Sequence, residues 1–187
     1  AKFNAELAFT PTHKMFSAFH GNKQRFFVPW WVSGEVSTSI DYSQQPWKKS
    51  LAGDLRRVRK YHYTHKVTRD PSDIEEYYDS MYLPLIRQSH GDSTNPMALT
   101  RMLAGLSQGG ELLQTLRDQT PVAGAFFEVE RGRAMARTIG VKDGDRQLIR
   151  EGVISASTFN MIRYGRDRGF AVLQLGGSRA FLYDGAL

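Results

Sequence analysis

The chain has 187 residues, a formal net charge of +6 and a 41% share of hydrophobic residues, and a chain of this length buries about 70% of its unfolded surface in one core. Its 12% aromatic content excludes a chain that stays disordered, and no apolar run approaches the roughly 18 residues that a membrane-crossing helix needs. The absence of cysteine excludes a disulfide framework, a thiolate metal site and a cysteine nucleophile; it also fits a reducing compartment, so the expected location is cytoplasmic.

Residues 1–47 read as a β-rich segment, with strands at 5–10 and 25–32. Pro29 inside the second aromatic and β-branched run points to an edge strand or a bulge. Ser33-Gly34 reads as a turn, with a return strand at 35–40. Residues 50–61 read as a helix, with Ser50 as N-cap, Asp54 near the first turn, and Leu51, Leu55 and Val58 as the apolar stripe. A strand at 63–68 follows, and Asp70-Pro71-Ser72 opens the next helix. That helix carries the clearest period in the chain: Ile74, Tyr77, Tyr78, Met81, Tyr82, Leu85 and Ile86 recur at helical spacing. Pro84 predicts a kink within it, and His90-Gly91-Asp92 ends it. Residues 96–107 read as a shorter helix closed by Gly109-Gly110.

The period then changes to two. Strands at 111–117, 122–129 and 134–141, joined by turns at 118–121 and at Arg131-Gly132, form an antiparallel meander. A charged loop at 142–147, a long helix at 148–168 and a strand at 171–175 complete the pattern. The expected class is α+β, a mostly antiparallel sheet flanked by helices. The sequence begins at Ala1 without Met, and Asp184-Gly185 near its end is the kind of turn that introduces another strand. The expectation is therefore a segment of a longer protein, truncated at the C-terminus.

Several stretches together resemble one superfamily. They are Asp54 to Lys60, Tyr77 to Gly91 with Met81-Tyr82 and Pro84, Val122-Ala123-Gly124, and Gly169-Phe170 to Gly176 followed by Ser178-Arg179 and Asp184-Gly185. In this order they resemble the GNAT acyltransferases, and within them the branch near the FemAB peptidoglycan aminoacyltransferases and an allied acetyltransferase domain. The resemblance covers residues 48–187 as one GNAT-like domain. It makes 1–47 the end of a preceding GNAT-like half. It implies an N-acyltransferase whose donor, an acyl-CoA or an acyl carrier, lies where the strand at 134–141 splays from the strand at 171–175. The donor-binding residues it implies are Thr138, Ile139, Gly140 and Val141, with Arg150 and Gly152 beyond them. One departure stands out. Superfamily members that use acetyl-CoA carry a Gln/Arg-x-x-Gly-x-Gly/Ala loop whose N–H groups hold the pyrophosphate. Residues 146–154 here hold a single glycine, Gly152. That leaves room for an aminoacyl-tRNA donor, and a non-catalytic binding module is the reading from another class.

Acyl transfer to an amine calls for a base, and two side chains are candidates. Glu128 faces away from Phe127 and Val129, and is either a base on the sheet or a solvated charge. His90 is either a proton acceptor or a cation complementing a helix C-terminus. Tyr82, Arg87, Ser178 and Arg179 are the candidate acceptor-binding residues. The other histidines show no metal-ligand spacing with carboxylates, so no metal is expected. Lys48, Lys49, Arg56, Arg57, Arg59, Lys60, Lys66 and Arg69 stand against Asp54 alone within residues 48–69. This basic helix is either a solvated face or a surface for tRNA or an anionic glycan.

Overall fold

The computed structural model describes residues 31–42, 49–91, 95–130 and 132–179. The strand expected at 5–10, most of that at 25–32, and Asp92 and Asp184 lie outside them. The chain divides into two compact units, Ser33–Gly177 on the one hand and Ala1–Val32 with Ser178–Leu187 on the other. Of the second, only the strand ends at Trp31–Val32 and Ser178–Arg179 are described.

Six strands form one sheet: β1 (Trp31–Ser37), β2 (Thr64–Thr68), β3 (Glu111–Arg117), β4 (Thr120–Glu130), β5 (Arg133–Val141) and β6 (Val172–Arg179), in the order β1-β6-β5-β4-β3-β2. The pairs β2–β3, β3–β4 and β4–β5 are antiparallel, and β5–β6 is parallel. The mostly antiparallel α+β sheet expected from the sequence is therefore the one observed. Ser33-Gly34 is not a turn. It lies inside β1, where a Cβ on Gly34 would rest 4.0 Å from that of Leu175 on the neighbouring strand. A Gly-containing dipeptide favours a turn only when no partner strand claims its backbone. Likewise β6 runs through Gly176-Gly177 instead of stopping at 175, with Gly176 at φ +88.

The helices are α1 (Lys49–Lys60), α2 (Pro71–Tyr77), α3 (Leu83–His90), α4 (Leu99–Leu106), α5 (Arg146–Arg150) and α6 (Val153–Asp167). Ser50 lies within α1 and is not its cap. Asp70 caps α2 by accepting from the Ser72 amide, and Pro71 fills the first turn, where no N–H is missed. Between α2 and α3 the chain makes a π-helical turn, Tyr78–Tyr82. The predicted kink at Pro84 takes this form. A proline ring in a regular helix collides with the carbonyl four residues earlier, here Ser80, and a widened turn relieves that collision. The helix expected at 96–107 begins at Leu99, because Ala98 is extended at ψ 142.

The single helix expected at 148–168 is two. A 3-10 turn (Lys142–Gly144) leads into α5, and Gly152 at φ 87, ψ 24 separates α5 from α6. Only glycine adopts that conformation cheaply, and a Cβ there would also lie 3.1 Å from the Cβ of Arg57. Gly152→Ala is expected to cost about 1–2 kcal/mol, a fall in Tm of roughly 3–6 °C in thermal unfolding; an unchanged Tm would refute this account of the break.

The helices cover both faces of the sheet. Ile74, Tyr77, Met81 and Met102 pack with Leu112 and Phe126 on one face. Met161, Ile162 and Phe170 pack with Leu113, Ala125 and Phe127 on the other. Alternation along β3 and β4 accounts for this division, and β3 is buried from Glu111 to Leu116 because both faces are covered.

Candidate functional site

The parallel contact between β5 and β6 is short. Among the described residues, Arg133 pairs with Val172, Ala134 with Leu173 and Met135 with Gln174. Both strands continue past this point, and among the described residues the ladder of β5 from Ala136 to Val141 is the one with β4. Strand amides alternate in direction, so every second N–H of this stretch points away from β4, towards the gap that opens beside β6. At the mouth of the gap β5 is bulged. Phe127 opposes Ala136 and Phe126 opposes Thr138, so Arg137 is an extra residue. A bulge re-aims side chains, and here two consecutive residues serve one face. Thr138 bonds the Tyr77 hydroxyl across 3.0 Å. Arg137 donates from Nε to Glu128 Oε2 at 2.6 Å.

Two glycines seat the helix layer over this bulge. A Cβ at Gly124 would lie 2.8 Å from the Tyr77 ring, and one at Gly140 would lie 2.7 Å from the backbone of Met81 and Tyr82. The Tyr77 ring therefore lies flat on two side-chain-free positions, and its hydroxyl reaches the bulge. Burial pushes that hydroxyl well above its ordinary pKa, against the opposing pull of its hydrogen bonds to Thr138 and the Phe126 amide. It stays neutral across the physiological range. Gly105 of α4 approaches Phe126 and Glu128 in the same close manner and fixes Glu128 from above.

The structure places the predicted residues unevenly. Thr138, Ile139, Gly140 and Val141 all lie on β5 beyond its last pair with β6. The side of Gly140 is filled by the π-helical turn, and Val141 packs against Val153 and Ala156. Gly152 caps α6, and Arg150 is exposed at the end of α5. Glu128 is half-buried beside the bulge, with its side chain 17% exposed. His90 and Arg87 sit on the exposed last turn of α3, before the Gly91 cap. Tyr82 is buried and accepts from the Met97 amide at 2.9 Å, so its hydroxyl anchors the approach to α4. Ser178 and Arg179 belong to the end of β6, not to a loop after it. Arg137 and the Tyr77–Thr138 bond were not readable from alternation, which a bulge interrupts.

Where a pyrophosphate loop would lie, five backbone amides are used within the segment itself. The amides of Asp145, Ile149, Glu151 and Gly152 bond carbonyls of the same stretch, and that of Gln147 bonds the Asp145 carboxylate. The basic stretch is also partly neutralised within the fold: Arg57 pairs with Asp54, Lys66 with Asp73 and Arg69 with Glu111. On the other face of the sheet an open groove of about 260 Å³ follows the first half of α6, walled by Val36, Tyr42, Leu51, Ile154, Phe159 and Ile162. Among the described residues no cluster of His, Asp and Glu could hold a metal ion, and no helix is long and apolar enough to cross a membrane.

No protein-family model matches the chain, and no curated protein matches it. Solved structures do. FemX superposes with a TM-score of 0.62 at 8% identity, over 86% of this chain and 56% of that one. L-PGS from Bacillus licheniformis gives 0.56 at 11%, over 83% and 49%. The C-terminal domain of an Agrobacterium fabrum protein named as a lysylphosphatidylglycerol synthetase gives 0.53 at 16%, over 79% and 46%. The chain thus spans about half the length of these structures. Identities this low show a shared fold and nothing further.

Proposed function

We propose that this chain is an N-acyltransferase domain that moves an acyl group from an activated carrier to an amine in the gap between β5 and β6. The observation that carries this reading is the coincidence of three features: parallel pairing that ends at Met135–Gln174, a bulge in the next two residues, and a carboxylate beside it. A gap between strands exposes backbone N–H groups at fixed positions, and such donors stabilise the oxyanion that forms when an amine attacks an acyl carbon. In that step the C–N bond forms, the bond to the carrier's sulfur or oxygen breaks, and the amine loses a proton. Glu128 is the side chain assigned to receive it, with His90 at the end of α3 as the second candidate. Arg87 and Tyr82 would border the acceptor, and Thr138 to Val141, with Arg150 and Gly152, the donor.

The donor has two readings. A thioester of coenzyme A or of a carrier protein is the general one. An aminoacyl-tRNA is favoured by one observation, the internal use of the amides of Asp145, Gln147, Ile149, Glu151 and Gly152, which withdraws those five donors from a pyrophosphate. The outward residues Arg56, Arg59 and Lys60 of α1 would then track the tRNA, or an anionic glycan acceptor. A cytoplasmic location is part of the same proposal.

A thermal-shift screen of the full chain against coenzyme A, acetyl-CoA, an acyl carrier protein and bulk tRNA tests it. A ligand at about 100 times its Kd stabilises by roughly 2.7 kcal/mol, a rise of about 5–10 °C in a chain of this size. A shift with a thioester species supports the general reading. A shift with tRNA that fades with added salt supports the second. Silence with all four counts against a transferase and for a binding module.

A further inference from the structure

Arg137 is held differently from the other paired arginines of the chain. Arg57, Arg69, Arg117, Arg133 and Arg166 each commit a terminal Nη group to a carboxylate. Arg137 commits Nε to Glu128, and among the described residues its Nη1 and Nη2 groups have no hydrogen-bond partner. A guanidinium is planar, so pinning Nε leaves the Nη1–Nη2 edge facing outward as two parallel donors. The side chain is 32% exposed and therefore reachable. Its anchor is confined, since Glu128 is 17% exposed and a Cβ on Gly105 of α4 would already lie 3.2 Å from its Oε1. The bulge puts this fork beside the point where β5 and β6 part. Stability alone does not account for the arrangement, because a partly exposed ion pair contributes little. A fixed fork with unoccupied donors matches two oxygens of an anion.

We infer that Arg137 is an anion-binding residue of the site, its Nη1–Nη2 edge taking the carboxylate or phosphoryl oxygens of a substrate while Glu128 holds it in place. The inference deepens the acyl-transfer reading and rests on it for what the site does. It adds that one of the two substrates bears an anionic group close to its reacting end.

The test is a nitrogen-15 NMR titration of the full chain at constant ionic strength, following the arginine Nε–H signals, with acetate in one arm and inorganic phosphate in the other. The Arg137 signal, identified by its loss in Arg137→Lys, is expected to shift saturably in at least one arm. Arg137→Lys is expected to weaken binding at least tenfold, followed through backbone amides of β5, while Arg133→Lys on the same strand leaves it unchanged. Tighter phosphate binding points to a phosphoryl-bearing substrate, and tighter acetate binding to a carboxylate; either supports the assignment. A non-saturating Arg137 signal, or a lysine variant that binds like the wild type, overturns it. Arg137→Gln serves in its place should the lysine variant fail to fold. The titration reads binding and not turnover. A saturating Arg137 with a silent thermal-shift screen would sink the transferase and keep the anion site, and the converse would do the reverse.

Discussion

Gly140→Ala should lower stability by about 3 kcal/mol, the upper end of the cost of overpacking a core, and Tm by on the order of 10 °C. The added methyl would stand 2.7 Å from the carbonyl carbon of Met81 and the amide nitrogen of Tyr82, and 2.9 Å from the Tyr77 ring. No rotamer change answers this, since two of the three neighbours are main chain. The π-helical turn would have to lift off β5, taking Tyr77 from Thr138 and relaxing the bulge. Tyr77→Phe separates the two consequences. It keeps the ring on Gly124 and Gly140 and deletes only the hydroxyl, leaving the buried Thr138 without its partner, a cost of about 1–2 kcal/mol. If the hydroxyl pins the bulge, amide signals of Ala136, Arg137 and Thr138 move in Tyr77→Phe while those of β3 stay. Thermal unfolding reads the first variant and amide NMR the second. A tolerated alanine at 140 would show that the close seating of this turn on the sheet is not required.

How much of this was legible depends on the distance over which each feature is decided. The meander at 111–141 was legible because the period changes to two and the hairpin turns between its strands are local. The stripe from Ile74 to Tyr82 was legible because one helical face supplies four buried residues of a single cluster. The break at Gly152 was not. A glycine in a helical pattern costs about 1 kcal/mol and is common enough to be passed over, and only the seat of Arg57 against it shows why the chain turns there. Ser33-Gly34 misled because its strand conformation is imposed by β6. The site divides in the same way. The stretch from Thr138 to Val141 was named through the resemblance and Glu128 through alternation along its strand. Arg137 could not be picked out, because its direction is set by the bulge and strict alternation assigns it elsewhere. Gly140 was singled out for a donor, whereas its most evident task is to admit the helix layer.

Glu111 supports the second large effect, on the face of the sheet away from the bulge. It is 3% exposed, and both its oxygens are used. Oε1 accepts from Arg69 at 2.6 and 3.0 Å, and Oε2 accepts from the Tyr164 hydroxyl at 2.5 Å. It thereby joins β3, the segment after β2, and α6. Glu111→Ala is expected to cost about 2–3 kcal/mol, below the full cost of orphaning a buried charge, because Arg69 is 55% exposed and can turn to water. The same contact predicts a pH dependence. Burial, then the hydrogen bond and charge of Glu111, push the Tyr164 hydroxyl up to about 12 from an ordinary 10.0. Burial likewise raises Tyr63, Tyr77 and Tyr82. A raised folded value means that above pH 10 the unfolded chain has released protons the folded chain still holds, so stability falls as pH rises through that window. Below pH 10 this contribution is fully present. Urea unfolding between pH 9 and 12 should show the decline. In Glu111→Gln the amide oxygen still accepts from Tyr164 but the negative charge is gone, so the fall should be shallower although the variant starts less stable. A decline as steep as that of the wild type would assign the alkaline sensitivity to the three tyrosines elsewhere and detach it from the Glu111–Tyr164 contact.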